Sequence, residues 1–316
     1  MTQTQTTLGP TTGQKLGAAL LSFLLFMSLL AFSLLLSARW ITRQETVSSI
    51  LVEQNVTELP VGNPEGGASL TISQLVYSMF PPELWQELGL TESTFQEYLT
   101  EGTWVEFFAD TAGGIIQDIT DGSSTTSVSA ADYERLIIEN DPVLESITGS
   151  PMPEEYRPLF AQTLAGGENS APLSAATFTQ GSIGEMLAFV RPFVSQTMTI
   201  IVGALVVLLV LAIIFTLQRR YRWYAPNLAV PLIFVGLMLL AARVVSAFLS
   251  NNTLTGSTAG QIGSAFFAAL ADRFFLFGLI ALGLGIILLI VRALTAKRSG
   301  TARPANDPGS VNPYMD

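Results

Sequence analysis

The chain has 316 residues, of which 49% are hydrophobic and only 13% charged, and its mean hydropathy is +0.46. Soluble domains carry about 25% charged residues, so this composition excludes an ordinary water-soluble protein, and the length suits about two structural units. The formal charge is −10, His and Cys are absent, and the only lysines are Lys15 and Lys297.

Residues 1–15 are rich in Thr and Gln and are read as a disordered cytoplasmic tail. Residues 16–38 then form an uncharged run of 23 residues. A helix rises about 1.5 Å per residue and the hydrocarbon core of a bilayer is about 30 Å thick, so about 20 apolar residues span it. The run far exceeds the roughly 7–15 apolar residues of a secretory signal, and it is read as an uncleaved signal anchor. Three more uncharged runs follow near the other end of the chain, over residues 198–217, 223–242 and 274–291. The predicted spans are therefore residues 16–38, 198–217, 223–249 and 266–291, the last with an amphipathic outer start. The predicted class is an all-α integral membrane protein with four transmembrane helices and a mostly helical extracytoplasmic domain between helices 1 and 2.

That domain, residues 39–197, carries the acidity. Between positions 40 and 197 there are 22 acids and four arginines, a net charge of −18, which leaves +8 on the rest of the chain. A surface so acidic repels phosphate backbones, so nucleic acid is excluded as a partner. Helix starts are expected at Pro82, at Thr91 with Glu92 in the first turn, at Ser129 with Asp132 three residues on, near Pro153, and at Ser182 with Glu185. The apolar series Phe95, Leu99, Val105, Phe108 and Ile115 or Ile116 has roughly helical spacing, with breaks expected at Gly102 and at the Gly113-Gly114 pair. Residues 70–76 form the one strand-like stretch, and helix 1 is expected to continue as a stalk through Ile41, Ile50 and Leu51. The final segment, 292–316, is rich in Pro, Gly and Asn and is read as a disordered cytoplasmic tail.

Lys and Arg near the span ends set the orientation. Arg219, Arg220 and Arg222 crowd the loop between helices 2 and 3, and Arg292, Lys297, Arg298 and Arg303 follow helix 4. With Lys15 they place both termini in the cytoplasm. Arg39, Arg43, Arg191, Arg243 and Arg273 are left on the outer side. The short loops and the Cys-free outer domain point to the bacterial cytoplasmic membrane. Two N-x-Thr triplets, at Asn55 and Asn251, are then without consequence.

The chemistry is defined mostly by what is missing. Without His or Cys there is no imidazole base, no thiolate nucleophile and no soft metal site. Asp272 is the only acid within the spans, so no carboxylate pair lies there. No catalytic residue, metal or cofactor is expected, and the chain is read as a non-enzyme. Asp118 with Asp121-Gly122 resembles a fragment of a calcium loop but lacks its alternating ligands. Arg243 lies near the outer end of helix 3, and Asp272 and Arg273 near the outer start of helix 4, so an interfacial ion pair is expected among them. Gly278, Ala281, Gly283 and Gly285 make up a small-residue face for helix packing, Ala281 and Gly285 being four apart. Trp40, Trp223 and Tyr224 suit interfacial belts.

One helix, a large outer domain and three further helices is also similar in topology to the cell-division and macrolide-export types of ABC transporter subunit. That likeness is an analogy of fold, and the loop after helix 2 shows no coupling helix. Two functions are therefore expected. The outer domain binds or organises a partner, either another protein or a second copy, in sensing, envelope assembly or scaffolding. Alternatively, the chain is a permease-like subunit with a separate ATPase.

Overall fold

A computed structural model describes residues 10–61, 70–167, 172–178, 191–217, 221–252 and 258–299. Helix α1, Thr12–Ile41, holds the first apolar run. It stops at a turn over Thr42 and Arg43, and α2, Gln44–Glu53, starts afresh. The expected continuous stalk is therefore broken. The break lets α2 lie down and bury Val47 and Leu51 beside Val105 and Ala109.

A two-residue ladder follows, pairing β1, Pro60–Val61, with β2, Leu70–Thr71. Strand structure ends there, because Thr71 caps α3, Ile72–Ser78: its Oγ1 accepts from the Gln74 N–H at 3.1 Å, and its own N–H donates to Gln74 Oε1 at 3.0 Å. The strand-like residues 70–76 are thus mostly helical, since a local capping box satisfies the orphan N–H groups of a helix start. Pro82 opens α4, Pro82–Glu87. Thr91 caps α5, Glu92–Glu101, through its Oγ1 and the Thr94 N–H.

Gly102 ends α5, and α6, Trp104–Asp121, begins two residues later. A side chain at Gly102 would overlap Asn140 Oδ1. Asn140 is buried and accepts from the Thr103 N–H at 2.8 Å, pinning the junction. The Gly113-Gly114 pair, by contrast, interrupts nothing and lies within α6. Its role is close approach: a Cβ at Gly113 would stand 2.7 Å from the Gln44 carbonyl, and one at Gly114 2.5 Å from Thr126 Oγ1. Helical stability from the surrounding packing outweighs the cost of two glycines, about 1 kcal/mol each.

A second ladder joins β3, Ser127–Val128, to β4, Leu173–Ser174. Between these strands lie α7, Ala130–Glu139; α8, Asp141–Thr148; and α9, Arg157–Leu164. The Asp132 carboxylate accepts from both the Ser129 N–H and its hydroxyl, closing the start of α7. The turn after Pro153 delays α9 to Arg157. Helix α10, Ala175–Phe178, follows β4. The capping pair expected at Ser182 and Glu185 lies outside the described residues. Three long helices complete the chain: α11, Gln196–Thr216; α12, Tyr221–Asn252; and α13, Thr258–Ser299. With α1 they make four helices long and apolar enough to cross a membrane.

The chain divides into two compact units, and the division cuts each long helix. The first comprises Met1–Ala31, Val202–Leu240 and Phe275–Asp316. Ala18, Leu25, Leu209, Ile213, Leu217 and Leu228 form its core. Pro231 lies inside α12 and has no N–H to give to the Asn227 carbonyl one turn back. The Ser22 hydroxyl fills that gap, lying 2.9 Å from Asn227 O and 2.8 Å from Ala18 O.

The second unit comprises Phe32–Ile201 and Ala241–Phe274. Its largest core is aromatic. Trp85 stacks on Tyr77 at 4.6 Å, contacts Phe95 at 4.8 Å and meets Phe80 edge-on at 5.2 Å. Phe80 stacks in turn on Phe160 at 4.2 Å. The Trp85 indole N–H donates to Tyr77 O at 3.0 Å, so the ring is buried without an unsatisfied donor. A smaller cluster around Val47, Leu51 and Val105 includes Phe266 of α13.

Candidate functional site

Three features carry the charges and close contacts singled out in the sequence. The first is a level in the second unit where all four long helices meet through polar contacts. Arg243 of α12 pairs with Asp272 of α13, Nη1 to Oδ1, at 2.8 Å. Their side chains are 45% and 68% exposed in the protein alone, and an ion pair that open contributes about 0–1 kcal/mol in water. Arg273 takes no part in that pair. Its guanidinium lies over the Trp40 ring of α1, 3.8 Å from the centroid. Arg39, one residue earlier on α1, donates from Nη2 to Gln196 Oε1 of α11 at 3.2 Å. The sequence marks Trp40 only as a belt residue, and both contacts depend on the paths of α11 and α13. The adjacency of Trp40 to Arg39 is their local signal.

The second feature is the small-residue face of α13. Gly278 and Gly285 are buried on it, seven residues apart. A Cβ at Gly278 would lie 3.0 Å from the Gly236 carbonyl, and one at Gly285 would lie 2.7 Å from Ile233 Cγ1 and 3.0 Å from the Ala229 carbonyl, all on α12. Gly283 has nothing within 4 Å of a built Cβ, so it is off the contact. Ala281 is half-buried. The working period is thus seven rather than four, two full helical turns, and Gly236 is the partner that the sequence did not single out. On the same unit, Ala19, Ser22, Phe23, Pro226, Asn227 and Phe234 help line a groove of about 480 Å³. Its walls are apolar, and the Ser22 hydroxyl on its floor is already engaged by backbone carbonyls.

The third feature is the acidic surface. Every described acid from Glu45 to Glu155 is exposed except Asp118, Asp132, Glu134 and Asp141. The insert's four arginines are too few to neutralise it, and two of them are engaged within the insert. Arg157 pairs with Asp141 at 2.5 Å, and Arg135 reaches Asp132 at 3.4 Å and Glu139 at 4.0 Å. Among the described residues, no three His, Cys, Asp or Glu side chains converge as a metal site.

Asp118 is the buried exception, at 2% exposure. Its carboxylate accepts from Ser123 Oγ at 2.6 Å, Thr125 Oγ1 at 2.7 Å and the Thr126 N–H at 2.5 Å, so it organises the turn after α6. Gly122 makes that turn possible with φ +72°, and a side chain there would overlap the Arg191 guanidinium. Asp118, Ser123, Ser124 and Arg191 border a cavity of about 320 Å³. Both Asp118 carboxylate oxygens accept hydrogen bonds within this turn.

Burial raises the Asp118 pKa, but the hydrogen bonds from Ser123, Thr126 and Thr125 outweigh it and hold the carboxyl below the usual carboxylate range. A depressed folded-state pKa contributes stability above the unfolded value, near 3.9, which is lost as pH falls through the folded value. Asp118→Asn is expected to destabilise the insert by about 1–3 kcal/mol at pH 7. That difference should begin to shrink below about pH 4, where the unfolded group takes up its proton, and vanish once pH falls through the lower folded value. Thermal melts followed by near-UV circular dichroism check this. A penalty unchanged from pH 7 to pH 3 would show that the charge is not what holds the turn.

Compared with known proteins, the chain matches no family profile, no curated protein and no solved structure.

Proposed function

We propose that this is a multi-pass protein of a bacterial cytoplasmic membrane, without enzymatic activity, whose acidic extracytoplasmic helical domain binds or organises a protein partner. In this reading both termini are cytoplasmic and the insert between α1 and α11 faces outward. The observation that carries it is the exposed acid surplus, 22 acids that the insert's four arginines are too few to offset. An aromatic core beneath a predominantly acidic surface suits recognition by complementary charge. The same surface repels a second copy of itself, so the partner on this face is a basic protein segment in sensing, envelope assembly or scaffolding. The lack of His and Cys supports a binding role over catalysis.

The test is affinity capture with the full-length protein in nanodiscs, followed by mass spectrometry. Capture is done with the wild type and with a Glu83→Gln, Glu97→Gln, Glu101→Gln variant, all three positions being exposed. The expected partner is basic, is held at about 50 mM salt and released near 500 mM, where screening is short-ranged. It is also held less well by the variant. Capture indifferent to both salt and the variant would reject the reading. Protease added to sealed, right-side-out cells should cut the insert, and protection there would reverse the orientation.

A further inference from the structure

The polar level that ties the four helices together has a charge surplus that the partner-binding reading does not use. Three contacts define it: Arg39 with Gln196, Arg273 on Trp40, and Arg243 with Asp272. They join α1 to α11, α1 to α13, and α12 to α13, so all four helices pass this level together.

Its depth follows from the sequence. Below Arg273, α13 is charge-free until Arg292, a stretch of 18 residues. At about 1.5 Å per residue that is about 27 Å, close to the thickness of a hydrocarbon core. On α12 the interval from Arg222 to Arg243 holds 20 uncharged residues, about 30 Å, and on α1 the interval from Lys15 to Arg39 holds 23. Three independent helices thus place the level at one headgroup layer.

The surplus at that depth belongs to Arg39 and Arg273. Arg243 has the Asp272 carboxylate, whereas Arg39 donates to a neutral amide and Arg273 lies on a neutral ring. Among the described residues neither is in an ion pair. Arg273 Cζ lies over the neutral Trp40 ring, and the five N–H donors of a guanidinium are set along the edge of its plane. That edge is the fork that grips a phosphate through two parallel hydrogen bonds. Gln196 and Trp40 brace both side chains, which lowers the entropy lost when a ligand binds.

We propose that Arg39 and Arg273, braced by Gln196 and Trp40, form a seat for the phosphate of an anionic phospholipid headgroup. The net positive charge favours a headgroup without an ammonium, because two cations facing a zwitterion repel its positive end. The seat requires only that the helices span a bilayer, so it stands apart from the partner-binding reading and from the orientation of the chain.

The test uses the full chain in phosphatidylcholine nanodiscs, with or without phosphatidylglycerol, read by lipid adducts in native mass spectrometry and by melting temperature. Phosphatidylglycerol is expected to raise the melting temperature and to be retained at least about tenfold over phosphatidylcholine. The Arg39→Gln, Arg273→Gln variant loses both effects. The Arg39→Lys, Arg273→Lys variant keeps the charge, and so guards against misfolding; it retains the lipid several-fold less well because the fork is gone. Arg135→Gln, on the water-exposed insert, and Arg292→Gln, at the other end of α13, keep wild-type retention. Equal retention of the two lipids, undiminished retention by the Gln variant, or an equal loss in Arg292→Gln would overturn the proposal. So would displacement of the bound lipid by free glycerol phosphate, since the site would then take a soluble anion.

Discussion

Phe160→Ala is expected to destabilise the helical insert by about 3–5 kcal/mol, the range for removing a buried aromatic ring from a packed core. The ring is fully buried and stacks on Phe80 at 4.2 Å. Trp85 and Phe95 also face it, at 5.8 and 6.3 Å. The four rings come from α9, the segment before α4, α4 itself and α5, so truncation leaves a cavity lined by three rigid rings from three places in the chain. Rings cannot collapse inward as flexible aliphatic side chains can, which puts the cost toward the upper end. Leu159→Ala, one position earlier, removes a side chain that is 49% exposed and should change stability by less than about 0.5 kcal/mol. Denaturant titration followed by Trp fluorescence reports directly, because Trp85 sits in the affected cluster. Similar midpoints for the two variants would mean that the aromatic cluster does not hold the insert together.

Gly236→Ala should cost about 1–3 kcal/mol, although Ala is the better helix former. A Cβ at Gly236 would lie 2.8 Å from the Gly278 carbonyl and 2.8 Å from the Leu282 nitrogen. Both are backbone atoms, so α12 and α13 must move apart to admit one methyl group. In a bilayer that separation is costly, because helix association there depends on close van der Waals packing rather than on hydrophobic exclusion. Gly283→Ala is the matched control: it makes the same chemical change on α13 but meets nothing within 4 Å. It should be neutral or stabilising by up to about 1 kcal/mol. Unfolding in bicelles measures both. Equal effects would show that the crossing is looser than the Gly236–Gly278 approach implies.

These two cases mark what was legible along the chain. The small-residue face of α13 could be noticed, but not which of its members touch a neighbour. Gly278 and Gly285 do and Gly283 does not, because the contact depends on the path of α12. The charges were legible in the same partial way. Arg243 and Asp272 share a depth that the run lengths reveal, and they lie 2.8 Å apart. Arg273 follows directly in sequence, yet one step of about 100° around the helix turns it toward Trp40 instead.

What the sequence determined by itself are the properties that act over one turn or one span. Long uncharged runs make the four membrane-length helices, because transfer into hydrocarbon sums residue by residue along a segment. The caps at Thr91 and Ser129 are likewise set by atoms three residues apart. The tertiary structure alone decided where backbones come within contact. It turned the Gly113-Gly114 pair from an expected break into a docking face, and it ended the stalk at Thr42 and Arg43 so that α2 could bury Val47. It also matched Gly236 with Gly278. Each of these rests on atoms brought together from distant parts of the chain, and the energy that selects them is short-ranged packing, which exists only once the partner is in place.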